Sequence, residues 1–307
     1  MPHPTHLEIA GVHFVIRPPA QCPFRDAGRI YRSFLTEAPA PRGGLRVALD
    51  TTLEAVPDTS RLERVFETPS WTLFREDAGY CLAQGPRGPD LPPPWLARFD
   101  RSFSRGTVHC DEFLIHEEDG RRSVVNPVLR RLDQLLVMYA LAARGGVLVH
   151  STGAIVGGRA YVFAGRSGAG KTTLARLFAA SGAAKDVVLL SDDRMVLRTT
   201  EEGLEAFGTP WAGEAEVALN RSAPLAGILF LHHGASNEIR PISEREAVEQ
   251  ILPLVSMPWH DRDMTAGVLA TCDAVVSGTP AFEFHFRPAD DAITAVLDFV
   301  RQRGGGA

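Results

Sequence analysis

The octapeptide Gly165-Arg166-Ser167-Gly168-Ala169-Gly170-Lys171-Thr172 constrains this chain more than any other stretch. It has the form G-x-x-x-x-G-K-[ST], with the apolar run Tyr161-Val162-Phe163-Ala164 before it and a helical pattern from Thr173 to Ala180 after it. Glycines let consecutive backbone N–H groups turn inward around a polyphosphate, and the helix that begins near Lys171 adds its positive end. The expected ligand is a purine nucleoside triphosphate, ATP, bound with Mg²⁺. Lys171 would reach the terminal phosphates, the Thr172 hydroxyl would sit on the metal, and Thr173 would complete the cradle.

Two flanking features extend the expectation. Val187-Val188-Leu189-Leu190 reads as a buried strand that delivers Ser191-Asp192-Asp193 at its carboxyl end, beside the loop. Neighbouring side chains of a strand point to opposite faces, so one carboxylate can face the metal or nucleophile while the other holds the loop. Upstream, Val147-Leu148-Val149 ending at His150 and Ala154-Ile155-Val156 read as two strands, and Gly157-Gly158 as the turn into the loop strand. The loop strand is thus expected to be one arm of a hairpin, unlike that of a crossover α/β NTPase. Glu214, after the turn-like Gly208-Thr209-Pro210-Trp211, is a candidate metal ligand. Arg240 and Arg287 could stabilise phosphoryl charge or simply pair with an acid. His232-His233 lacks a further ligand at zinc spacing, which argues against a metal there.

The rest of the chain sets the frame. Residues 1–125 offer short alternating apolar pieces, Val12 to Ile16, Leu45 to Leu49 and Trp71 to Phe74, divided by turn-rich stretches at Ala38 to Gly44 and Gly85 to Pro94. This predicts a small β-rich first domain, possessing no chemical motif and so assigned a substrate-recognition role. From Asn126-Pro127 the spacing becomes helical, and residues 126–307 form the expected catalytic domain, with helices over Glu244 to Leu254 and Asp291 to Val300 and strands over Gly227 to Leu231 and Ala281 to Phe286. The fold class is α/β, an α+β arrangement around a mixed sheet. A net charge of −5 over 307 residues speaks against nucleic acid and anionic membranes as partners. Four scattered cysteines without a CxxC pair, and a start lacking a signal sequence, lead to the expectation of a cytoplasmic protein, free to form homo-oligomers.

The segment Leu148 to Arg194, with His150, GRSGAGKTT and SDDR, resembles the C-terminal catalytic domain of bacterial HPr kinase/phosphorylase, and the likeness extends over about residues 126–300 through GTPW and Glu283-Phe284-His285-Phe286-Arg287-Pro288. It implies the phosphate-loop fold of phosphoenolpyruvate carboxykinase. It also implies that His150 is an active-site residue, that Asp193 takes the proton of the acceptor, and that Thr172, Asp192, Asp193 and Glu214 serve the metal. The implied activity is that of an ATP-dependent serine kinase acting on a peptide or small protein encoded nearby. Alternatives are a nucleotide-binding regulator or peptide carrier without turnover, and a kinase for a small alcohol. Thr172-Thr173 replaces the family's Ser-Glu after the lysine.

Overall fold

The computed structural model describes every residue except 1, 21, 38–43, 86–90, 143, 183–186 and 305–307. The chain divides into two compact units, 1–140 and 141–307. The turn-rich expectations at Ala38 to Gly44 and Gly85 to Pro94 fall mainly on residues outside the described set.

In the first unit, alternating sequences give the strands their shape. β1 (Thr5–Ile9), β2 (Val12–Arg17), β3 (Leu45–Thr52), β4 (Glu63–Glu67), β5 (Trp71–Glu76), β6 (Gly79–Gln84), β7 (Trp95–Asp100) and β8 (Arg105–Cys110) form one mixed sheet in the order β1-β2-β3-β8-β7-β6-β5-β4. Only the β2–β3 and β3–β8 pairs are parallel. A small hairpin of β9 (Ile115–Glu118) and β10 (Arg121–Val124) follows, and helix α1 (Asp133–Ala142) begins after one π-helical stretch at Val128–Leu132. The Phe103 ring lies between Tyr80, 5.0 Å away, and Tyr139, 3.9 Å away, and the buried Tyr31 hydroxyl donates to Asp133 at 2.7 Å.

The second unit is built around two long strands. β11 (Gly146–Val156) pairs through residues 146–150 with β14 (Arg194–Thr200), and through residues 151–156 with β12 (Arg159–Ala164) and β13 (Val188–Ser191). β15 (Gly203–Phe207) leads to β16 (Ser222–His233), which runs parallel to both β12 and β18 (Ala281–Phe286), and β17 (Glu238–Pro241) closes the edge. Helices α2 (Lys171–Ala180) and α5 (Asp291–Gly304) join one core with Phe163, Phe284 and Phe286. On the other side α3 (Glu244–Ile251) and α4 (Arg262–Gly278) pack with Val162, Ile228 and Phe230. The mixed α/β class is therefore as expected.

The hairpin of β11 and β12 is present, turning through Gly157 at φ 59° and Gly158 at φ 76°. Positive φ at both central residues is what a tight hairpin turn demands, and glycine meets it without strain. One expectation is corrected. The two strands read before that turn are a single strand of eleven residues, because Ser151, Thr152 and Gly153 are buried and continue the ladder. Their polar groups, which look like a break in the sequence, are satisfied within the fold: the Thr152 hydroxyl donates to the Ser191 carbonyl at 2.7 Å, and that of Ser151 to the Val149 carbonyl. Helix α4 was not foreseen, since its buried positions, Val268, Thr271, Cys272, Val275 and Val276, are small and interrupted by polar residues. Its start is fixed by Asp261, whose carboxylate accepts the Met264 N–H at 2.9 Å.

Candidate active site

The glycine loop stands between β12 and α2. Gly168 at φ 83° and Gly170 at φ 100° supply the left-handed turns, and a Cβ on Gly170 would meet the Phe286 ring at 2.6 Å. The Lys171 side chain is only 6% exposed and folds back to donate to the carbonyls of Gly165 at 2.8 Å and Arg166 at 2.9 Å. Burial lowers its pKa, opposed by the nearby Asp193 charge. An anion on the loop would draw this ammonium away from carbonyls that hold it with neutral dipoles only. Arg166, Ser167 and Gly168 are exposed, Ala169 is half-buried, and Thr172 and Thr173 sit half-buried on the first turn of α2.

β11 places His150 on one side of the loop. The His150 carbonyl accepts the Gly165 N–H at 3.4 Å, and its ring Nε2 donates to Asp193 Oδ1 at 3.0 Å. Arg194 Nε lies 3.5 Å from the other Asp193 oxygen, and its Nη1 donates to the Ser256 hydroxyl. Burial pushes the Asp193 pKa up, but the hydrogen bond from His150 and the charges of Arg194 and Lys171 outweigh it, holding the carboxyl below its usual range. Asp193 is thus an ionised carboxylate at neutral pH, with an imidazole fixed against it.

The two members of the Asp pair do different jobs. Asp192, 1% exposed, accepts the N–H groups of Gly213 at 2.9 Å, Ala215 at 2.7 Å and Val217 at 3.2 Å, and so organises the loop that carries Glu214. With both oxygens engaged this way Asp192 is the member of the pair that holds a loop, one of the two roles expected for the pair. Glu214 is 83% exposed and paired with Arg176 at 3.4 Å. Among the described residues no three His, Cys, Asp or Glu side chains form a metal cluster. Arg240 and Arg287 pair with Glu238 and Asp291 at the surface, which leaves the simpler of their two readings.

On the other side of the loop, β16 and β18 build a group that sequence reasoning missed. His232 Nε2 lies 3.1 Å from Gln250 Oε1, Gln250 Nε2 donates to Glu283 Oε1 at 3.0 Å, and His285 Nε2 lies 3.2 Å from Glu283 Oε2. The His232 and His285 rings stack at 4.9 Å. Hydrogen bonding from His285 and Gln250 outweighs partial burial and lowers the Glu283 pKa, with His285 the largest influence. The signal was present as Glu283-Phe284-His285, since residues two apart on a strand share a face. Part of this cluster lines a cleft of about 610 Å³ with residues 164–169 of the loop, Leu231, Pro253 and Leu254. His233 anchors the loop from this side, its ring 2.8 Å from the Gly168 carbonyl.

No protein-family model matches the chain. In an alignment 170 positions long, which takes in 45% of this chain and 49% of the other, the chain is 30% identical to a fructose-1,6-bisphosphatase class 1 of Methylobacterium sp. (strain 4-46). The chain thus spans about half the length of the curated relative it matches. That relative is named for a phosphatase, and this overturns the HPr-kinase resemblance and what followed from it. The assignments as an ATP-dependent serine kinase, as a phosphotransferase and as an ATP-binding protein are withdrawn. The physical cause of the error is that a glycine loop followed by Lys-Thr specifies a place for phosphate, and leaves open which molecule carries it and where the phosphoryl group goes. No described helix is long and apolar enough to cross a membrane.

Proposed function

We propose that this chain hydrolyses a phosphate ester, holding the phosphoryl group on the Gly165–Thr172 loop and using Asp193 with His150 to activate water. One observation carries the reading. The loop strand β12 lies between β11, which bears His150, and β16, whose end lines the cleft with Leu231 and His232. A phosphoryl group on the loop would therefore have a proton acceptor on one side and room for an organic group on the other. Displacement at phosphorus needs this arrangement, with attacking and leaving oxygens roughly in line.

The water oxygen forms the new bond to phosphorus while its proton passes to the Asp193 carboxylate. The ester P–O bond breaks toward the cleft, the departing alkoxide takes up a proton from solvent water, and Asp193 returns its proton to solvent. Lys171 swings from the Gly165 and Arg166 carbonyls to the phosphoryl oxygens and offsets their charge. Mg²⁺ would be held by the Thr172 hydroxyl together with the ligand's own phosphate oxygens, which leaves the Asp193 carboxylate to accept the proton. When bound, it would neutralise charge developing on those oxygens. The name of the relative, a bisphosphatase, agrees with an ester as substrate.

The test is phosphate release from a panel of sugar and polyol phosphates with Mg²⁺, fructose 1,6-bisphosphate among them and ATP as control. The expected result is ester hydrolysis that falls at least about 100-fold in Asp193→Asn, the usual scale for losing a positioned base. Release at equal rate from wild type and variant, or turnover of ATP alone, overturns the proposal.

A further inference from the structure

We infer that the cleft beside the loop is a subsite for the neutral, hydroxyl-rich part of a phosphorylated polyol or sugar, read by Glu283, Gln250 and His232. The inference takes from the preceding proposal only that phosphate sits on the loop, and does not require turnover.

The chemistry of the walls selects the class. Glu283 and Glu249 both line the cleft, Glu249 paired with Arg245 at 3.1 Å and Glu283 free of any Lys or Arg partner among the described residues, and a carboxylate accepts hydrogen bonds without donating any. Their natural partners are hydroxyl groups. Glu283 is held in place from two sides, by Gln250 at 3.0 Å and His285 at 3.2 Å, so its remaining lone pairs have fixed directions. Gln250 is itself held by His232. These groups come from elements with independent anchors. α3, which carries Glu249 and Gln250, starts in a capping box in which Ser243 and Glu246 bond reciprocally, while His232 and His285 are register partners on parallel strands. The acceptors are therefore pre-organised, which lowers the ordering cost of binding. The apolar part of the wall, Leu231, Pro253 and Leu254, suits the C–H face of a sugar ring.

The Glu283 carboxylate, held ionised by its hydrogen bonds, speaks against a second anionic group beside it, since like charges at close range repel in a partly enclosed site. The subsite is thus built for a monophosphate whose other end is neutral. In this respect it departs from the bisphosphate in the relative's name.

The experiment measures equilibrium binding by calorimetry, with glucitol 6-phosphate against hexyl phosphate, which has the same chain length and lacks the hydroxyls. Wild type should prefer the polyol by about tenfold or more, the scale of one or more hydrogen bonds to a fixed charged group. In Glu283→Gln the preference should shrink to within about twofold. Gln250→Leu, which removes one reading group and one of the two supports of Glu283 but leaves its carboxylate, should give an intermediate value. Equal binding of the two ligands by wild type, or a preference that survives in both variants, overturns the inference. A Glu283-dependent preference without phosphate release would uphold it and sink the hydrolase reading. Hydrolysis with no such preference would do the reverse.

Discussion

Replacing Asp192 with Asn tests the structural role assigned to it. The carboxylate is buried, and three N–H groups of the 213–217 loop point at its two oxygens, at 2.9, 2.7 and 3.2 Å. In the better orientation of Asn the carbonyl oxygen keeps Gly213 and Val217, and the new NH₂ faces the Ala215 N–H, donor against donor. The flipped amide would oppose two donors instead of one. One buried donor left unsatisfied costs about 1–3 kcal/mol, and two bonds weakened from charged to neutral add about 1 kcal/mol, giving about 2–4 kcal/mol in total. For a unit of this size each kcal/mol moves Tm by about 2–4 °C, so calorimetry should show a fall of about 4–16 °C. Hydrogen exchange at Gly213, Ala215 and Val217 should accelerate together. A Tm drop below about 2 °C with unchanged protection of those three amides would refute the reasoning.

Other outcomes follow from the same geometry. Gly170→Ala puts a methyl at φ 100° and against the Phe286 ring, so inorganic phosphate should bind at least about tenfold more weakly by titration, with stability lower by about 1–3 kcal/mol. The folded-state pKa of Asp193 is depressed, so its contribution to stability is present above the ordinary carboxylate range and is lost as pH falls through the depressed value. Removing the imidazole in His150→Ala should therefore move that acid limb upward, measurable as Tm against pH between about 2 and 5. Burial pushes Cys81 and Cys110 to about 12 and Cys272 to about 11, and all four thiols are free and buried. A disulfide reagent at neutral pH should label none in the native protein and all four after denaturation.

Motif and turn residues made much of the second unit legible. Gly157-Gly158 announces a hairpin, and the glycines of the loop announce its left-handed turns, because in both places the backbone needs what only glycine supplies cheaply. Asp193 stands out as one of a carboxylate pair at a strand end, His150 gains its active-site role only through the family resemblance, and the structure brings the two within 3.0 Å. Which member of the Asp pair holds a loop is not legible in the sequence, because the partners of Asp192 are backbone N–H groups more than twenty residues away, and a backbone donor has no letter in a sequence. The Glu283 cluster stayed hidden for a similar reason. Its members come from two strands and a helix, and only the register of β16 against β18 sets His232 opposite His285.

β11 and the chain through β13 and β14 change partners at the same place. His150 pairs with Arg194 and is the last residue of the ladder with β14, Ser151 donates its N–H to the Asp193 carbonyl, and Gly153 then pairs with Ser191 in β13. A single inserted or deleted residue on either strand would turn every following side chain to the opposite face and part His150 from Asp193. Descendants of this chain can lengthen at the Gly157-Gly158 turn or at the exposed Glu201-Glu202 turn, where the backbone meets water. Across residues 146–156 and 188–200, they can vary in composition but not in length.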